Sequence, residues 1–243
     1  IIAASNGSQG LKKALDELLL LDRAKARFLS LISHELNTPL TVLHAFLGLL
    51  KEKHRALPAE VGKAVASMSG ASNRLSEIIS EVLTYVKLES DTKLHLGDFD
   101  VKQEIDMVQI SLKDALDKKS LRCSIKCDAG TLFRCDSEKM REVVRRLLSD
   151  AVARSVPGKE IIVEGKRKEQ WILISLTRSG DPIPEEAFKP FETASSELHH
   201  HKNLGLSLAI CKLIVESHGG TVASEAVSGS VSRVLVKIPE PSG

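Results

Sequence analysis

FLSLISHELNTPLTVLHAFLGLL, residues Phe28 to Leu50, decides the reading of the chain. Its apolar positions Leu29, Ile32, Leu36, Leu40, Leu43, Leu47 and Leu50 recur at intervals of three and four, which is one stripe along a helix. At about 100° of turn per residue, His34 falls nearly opposite that stripe. A histidine facing solvent does not serve packing. Thr38 follows it by one turn on the same side, Glu35 flanks it, and Pro39 predicts a kink, since proline removes a backbone donor.

Working outward, Leu11, Leu15 and Leu18 begin the same period, so the spacing predicts one long helix over about 10–54. It breaks around Arg55 to Pro58, with Pro58 suited to a first helical position. In the next helix Val61, Val65, Met68, Ser72, Leu75, Ile79, Val82 and Val86 alternate steps of four and three, a heptad seam. Two long amphipathic helices with a short connection predict an antiparallel hairpin. One hairpin cannot cover both of its apolar stripes, so the expected solution is a homodimer that closes a four-helix bundle.

After Glu89 the pattern changes. Ser90 to Asp100 reads as a linker leading into a strand, and Asp100 caps a predicted helix from Val101 to about Lys118. Strands are predicted at Leu121–Cys127 and Leu132–Cys135, then a helix capped by Ser137 and ended by Pro157-Gly158. A hairpin of central strands follows at Ile161–Gly165 and Trp171–Leu176. One helical turn is expected at Glu185–Phe188, a helix at Leu204–Ser217, and strands at Thr221–Glu225 and Ser232–Ile238. This mixed order predicts an α+β sandwich, with helices on one face of a largely antiparallel sheet.

Composition narrows the function classes. The chain has 243 residues, 42% hydrophobic and 27% charged, in the range of a folded globular protein with room for two domains. With 34 Lys and Arg against 32 Asp and Glu, no broad basic field exists to attract nucleic acid or an anionic membrane. No apolar run reaches the roughly 18 residues of a membrane span, so direct insertion is not expected. The start at Ile1 points to a fragment, and the expected location is cytoplasmic, as the cytosolic part of a longer or membrane-tethered sensor. Cys123, Cys127, Cys135 and Cys211 form no C-x-x-C pair and are read as small hydrophobes in a reducing setting. His199-His200-His201 is read as an exposed loop, and His44 and His54 as helix-surface histidines.

Ser33-His34-Glu35-Leu36-Asn37-Thr38-Pro39-Leu40 resembles the phosphoacceptor box of two-component sensor histidine kinases, and the whole chain resembles their catalytic core. The resemblance implies a dimerisation and histidine-phosphotransfer domain at 10–90 and a Bergerat-type ATP-binding domain at 96–239. It makes His34 the phosphoacceptor, with Glu35 as the adjacent base or hydrogen-bond acceptor for an imidazole gaining charge. Thr38 stands where the family positions water against the phospho-aspartate of a response-regulator receiver domain, the expected partner.

The second domain departs from the family where nucleotide chemistry would lie. In the asparagine box Arg146 and Asp150 take the two asparagine positions, Asp150 being the expected metal ligand, and Ala153 takes the lysine position. Arg178 replaces the carboxylate that accepts the adenine amino group, and guanidinium has no acceptor. Gly180 remains of the next glycine pair, Pro182 having replaced the other. Gly205 remains of the last glycine box. Such a lost hydrogen bond costs on the order of 1.5–3 kcal/mol, or one to two decades of affinity. The reading is therefore a phosphotransfer protein that exchanges phosphate through His34, with ATP and Mg²⁺ bound weakly or not at all. The alternatives are an active ATP-dependent kinase with an altered pocket, and a non-catalytic dimerising regulator of another histidine kinase.

Overall fold

The computed structural model describes residues 36–52, 58–91, 93–127, 132–191 and 205–240. His34, Glu35, the helix predicted before residue 36 and the triple histidine lie outside them. The chain divides into two units, Ile1–Asp91 and Thr92–Gly243.

In the first unit, helix α1 covers 36–52 and runs through Pro39, while α2 spans Ala59–Ser90. Pro58 sits just ahead of α2 rather than inside it, and its carbonyl accepts the Gly62 N–H at 3.0 Å. Leu40, Leu47, Val65, Ser72, Ile79 and Val86 are buried at steps of seven on each helix. The alternate positions of the predicted stripes are not. Leu47 is 4% exposed but Leu43 is 44%, and Leu36, Leu50, Val61, Met68 and Leu75 are exposed with it. Each predicted stripe therefore splits into a covered edge and an open one, because two helices can shield only one edge of each other's seam. His44 is half-buried rather than a plain surface residue, and its Nε2, like the hydroxyls of Ser69 and Ser72, is buried without a hydrogen-bond partner.

The second unit contains β1 (Leu96–Asp100), α3 (Val101–Ser111), α4 (Lys113–Lys118), β2 (Arg122–Cys127), β3 (Leu132–Asp136) and α5 (Ser137–Arg154). It continues with β4 (Glu160–Lys168), β5 (Trp171–Ser179), a 3-10 turn (Glu185–Phe188), α6 (Leu206–Ser217), β6 (Thr221–Ser228) and β7 (Val231–Pro239). The strand order is β2-β4-β5-β7-β6 in one sheet, with β1-β3 as a separate antiparallel pair. Only β2-β4 is parallel, and the segment between those strands contains α5, as a parallel crossover requires.

Along β4, β5 and β7 the side chains alternate. Ile161, Val163, Ile172, Ile174, Leu176, Val234, Val236 and Ile238 are buried beneath α3, α5 and α6, while the intervening residues face outward. Each such buried side chain contributes about 1.5–3 kcal/mol by leaving water. From α5 come Val143, Val144, Leu147, Leu148 and Ala151, and from α6 Leu206, Ile210 and Ile214.

Two local expectations are corrected. The helix predicted over 101–118 is interrupted at Leu112, where the Ser111 hydroxyl donates to the Val108 carbonyl at 2.7 Å and competes with the helical ladder. The cap of α5 is Asp136, not Ser137. Its Oδ1 accepts from the Lys139 N–H at 3.1 Å, while the Ser137 hydroxyl donates to Asp98 O at 3.0 Å. Asp136 also ties in other elements. Its Oδ2 accepts from His95 N, and its own N–H donates to Nε2 of buried His218, at the C-terminal end of α6.

Candidate functional site

Of the residues around the predicted phosphoacceptor, Thr38 is described. It is exposed on α1 between Asn37, whose carbonyl accepts the Thr41 hydroxyl at 2.8 Å, and exposed Pro39.

The predicted nucleotide-site residues come together in the second unit, where α5, the end of β5 and the start of α6 meet. Glu142, Arg146, Asp150 and Arg154 stand at steps of four, so they line one face of α5 with alternating charge. The Arg146 Nε donates to Glu142 Oε1 at 2.7 Å, and the Arg154 Nε to Asp150 Oδ1 at 2.8 Å. Burial alone would raise the Glu142 carboxyl, but its contacts with Arg145 and Arg146 outweigh that and hold it below its ordinary value. Arg146 is only 6% exposed, and its Nη1 reaches the Ser207 hydroxyl at 3.4 Å, in the first turn of α6. The ladder follows the i, i+4 sign alternation of the sequence, and it adds Glu142 and Arg154 to the expected Arg146 and Asp150.

Arg178 is 5% exposed on the inner side of β5. Its guanidinium bonds its own loop, with Nη1 donating to Ser179 O at 3.2 Å and Nη2 to Asp181 O at 2.8 Å. Burial pulls its pKa below the ordinary arginine value, and the nearby Asp150 carboxylate opposes that shift. Gly180, at φ 121°, fits beneath the Arg178 side chain. A Cβ at Gly180 would collide with Arg178 Nη1 and come within 3.2 Å of the Arg154 carbonyl. Gly205, at φ 71°, makes the left-handed entry to α6, whose start has no side-chain cap. Its first-turn N–H groups form the kind of positive helix end that anions favour. Arg146, Asp150, Arg178, Gly180 and Gly205 thus share one neighbourhood, held by α5 ion pairs and by carbonyls of the β5 loop.

Cys135 and Cys211 are buried, while Cys123 and Cys127 are half-buried on β2. Burial raises Cys123 to about 11 and Cys135 and Cys211 to about 12, and all four are free thiols. Among the described residues no three His, Cys, Asp or Glu side chains are grouped to hold a metal ion, and no helix is long and apolar enough to cross a membrane.

Residues 24–91 match the His Kinase A (phospho-acceptor) domain family. Residues 135–242 match the histidine kinase-, DNA gyrase B- and HSP90-like ATPase family. Sensor protein SrrB of Staphylococcus aureus is 22% identical over 227 residues, covering 91% of this chain and 39% of that protein, so the chain spans well under half the length of this relative. Among solved structures, full-length ShkA in complex with AMPPNP superimposes with a TM-score of 0.74 at 18% identity, over 88% of this chain and 46% of ShkA. The Acinetobacter baumannii histidine kinase AdeS gives 0.61 at 23% identity, covering 86% of this chain and 98% of AdeS. Histidine kinase ThkA, in complex with response regulator protein TrrA, gives 0.60 at 23% identity, over 87% and 60% of the two chains. A helical unit matched by the phospho-acceptor family, followed by a helix-on-sheet unit matched by the ATPase family, is the domain pair of a histidine kinase catalytic core, and the chain belongs to that family.

Proposed function

We propose that the chain is the phosphotransfer core of a two-component signalling protein in which His34 takes up and passes on phosphate, while magnesium-nucleotide binding is weak. Residues 10–90 form the dimerisation and phosphotransfer domain and 96–239 the ATP-binding-like domain. The observation that carries this reading is Arg178. At the position where the family accepts the adenine amino group, a buried guanidinium is bonded to the Ser179 and Asp181 carbonyls.

The metal position supports the same reading. Magnesium needs near-octahedral oxygen ligands at about 2.0–2.1 Å. Asp150, the carboxylate expected to serve, is engaged by Arg154 at 2.8 Å and lies close to the Arg178 charge. With Arg146 in the other asparagine position, guanidinium groups stand where the usual donor set presents oxygen ligands. These residues do not fit a magnesium nucleotide of the usual kind. The left-handed turn at Gly205 and the uncapped start of α6 favour a second reading, an active kinase with an altered pocket, since both suit a phosphate.

The open edges of α1 and α2, carrying Leu36, Leu43, Leu50, Val61, Met68 and Leu75, support homodimerisation into a four-helix bundle. The response regulator is the partner with which His34 exchanges phosphate. In that exchange a neutral imidazole nitrogen attacks the aspartyl phosphorus, the carboxylate leaves, and Glu35 holds the ring as it gains charge. Thr38 orients the water that hydrolyses the same acyl phosphate. The test is to supply a labelled phosphorylated receiver domain. Label should move to the wild-type chain and not to His34→Ala. If neither protein takes label and the receiver loses phosphate no faster, the reading is refuted and a non-catalytic regulator takes its place.

A further inference from the structure

On the sheet face opposite the helices, a cavity of about 250 Å³ is lined by Lys168, Glu169, Trp171, Leu173 and Lys237. The strand registers explain its composition. Lys168 lies opposite Trp171 across the β4–β5 hairpin, and Leu173 lies opposite Lys237 between β5 and β7, so period-two alternation sends all four side chains to the outer face. Lys237 holds its ammonium 3.9 Å from the centre of the Trp171 ring. Among the described residues neither Lys168 nor Lys237 has an ion pair, so the wall carries two uncompensated ammonium groups against the single carboxylate of Glu169.

The frame around it is braced. Arg167 donates to the Leu132 carbonyl at 2.9 Å and pairs with Glu240, and the Glu240 N–H donates to Gln170 O at 2.7 Å in the hairpin turn. A site already fixed costs little ordering on binding.

We propose that this cavity binds a flat aromatic anion, its ring packed against Leu173 beside the Trp171–Lys237 pair and its negative charge met by Lys168 and Lys237. The indole and leucine supply an apolar wall, and the ammonium groups select charge, the combination expected of a small-ligand pocket. The volume admits one or two fused rings. The site shares no residue with the nucleotide position and stands whether or not His34 exchanges phosphate.

Trp171 is the sole tryptophan, so its emission reports on the site directly. The experiment titrates the whole chain with 2-naphthoate and, separately, with neutral 2-naphthamide, following the Trp171 fluorescence lifetime. Saturable quenching by naphthoate is expected, weaker by about fivefold or more in Lys168→Gln and Lys237→Gln, the scale of one partly desolvated charge contact. Naphthamide should bind correspondingly less well. Linear, unsaturable quenching alike in all three proteins would overturn the proposal, as would equal binding of the amide.

Discussion

Acidification should weaken the second unit through His218 specifically. Its Nδ1 bonds the Ile214 carbonyl at 2.7 Å, so the proton belongs there, and its Nε2 accepts the Asp136 N–H at 3.0 Å. Burial lowers the His218 pKa from its ordinary value. The Ile214 carbonyl and Asp136 act against that shift, and Lys139 adds to it. A second proton would place an N–H on Nε2, facing the Asp136 N–H donor. The sign follows: with the folded-state pKa below the unfolded one, the unfolded chain takes up protons first, so stability is full above about pH 6.5 and falls as pH drops through that value toward the folded pKa. His218→Ala, at neutral pH, leaves the Asp136 N–H buried without its partner, at about 1–3 kcal/mol, while the Ile214 carbonyl keeps the Ser217 hydroxyl at 2.7 Å. His218→Gln can return one acceptor and has nothing to titrate. Urea unfolding of the whole chain, followed by Trp171 emission at pH 7.5 and 5.5, measures the difference. Wild type should lose more stability between those values than His218→Gln, and His218→Ala should be the least stable at pH 7.5. Parallel losses in wild type and the glutamine variant would mean that His218 is not the group whose protonation weakens the fold.

Gly165→Ala should destabilise by about 1–3 kcal/mol, because the added methyl meets Val101 Cγ1 at 2.8 Å and Cys127 Sγ at 3.0 Å in a filled core; urea midpoints check it. Iodoacetamide at pH 8 should label Cys127 well ahead of Cys211, whose thiol is fully buried and raised to about 12, as read by peptide mass spectrometry. Met68→Asp puts a charge on the open edge of α2, so sedimentation should show the dimer giving way to monomer, with helical content retained.

Much of this arrangement is readable from residue pattern. The seam of α2 is legible because heptad spacing survives any context, and the strands β4, β5 and β7 because apolar residues alternate in them. What the pattern omits is polar. Lys166 to Lys168 extend β4 past its predicted end, since an exposed strand tail carries no apolar signal. Asp136 and Ser137 are both good capping residues, and only the backbone direction at β3 decides between them. Nothing in the local pattern singles out His218, for its partner Asp136 is 82 residues away in sequence.

The candidate site was legible as a set of departures, not as an arrangement. Arg178 in the sequence signals a missing acceptor, but a guanidinium could have reached solvent, a ligand or a carboxylate. Its folding onto Ser179 O and Asp181 O follows from the turn at Gly180, whose φ of 121° no side-chain pattern encodes. Asp150 likewise reads as a free carboxylate until Arg154, one turn on, is seen to hold it.

Calorimetric titration of the whole chain with magnesium-ATP measures directly whether the second unit holds nucleotide. No saturable heat is expected at micromolar nucleotide, because adenine would meet Arg178 instead of an acceptor and magnesium an Asp150 already held by Arg154. A dissociation constant in the micromolar range would contradict that expectation.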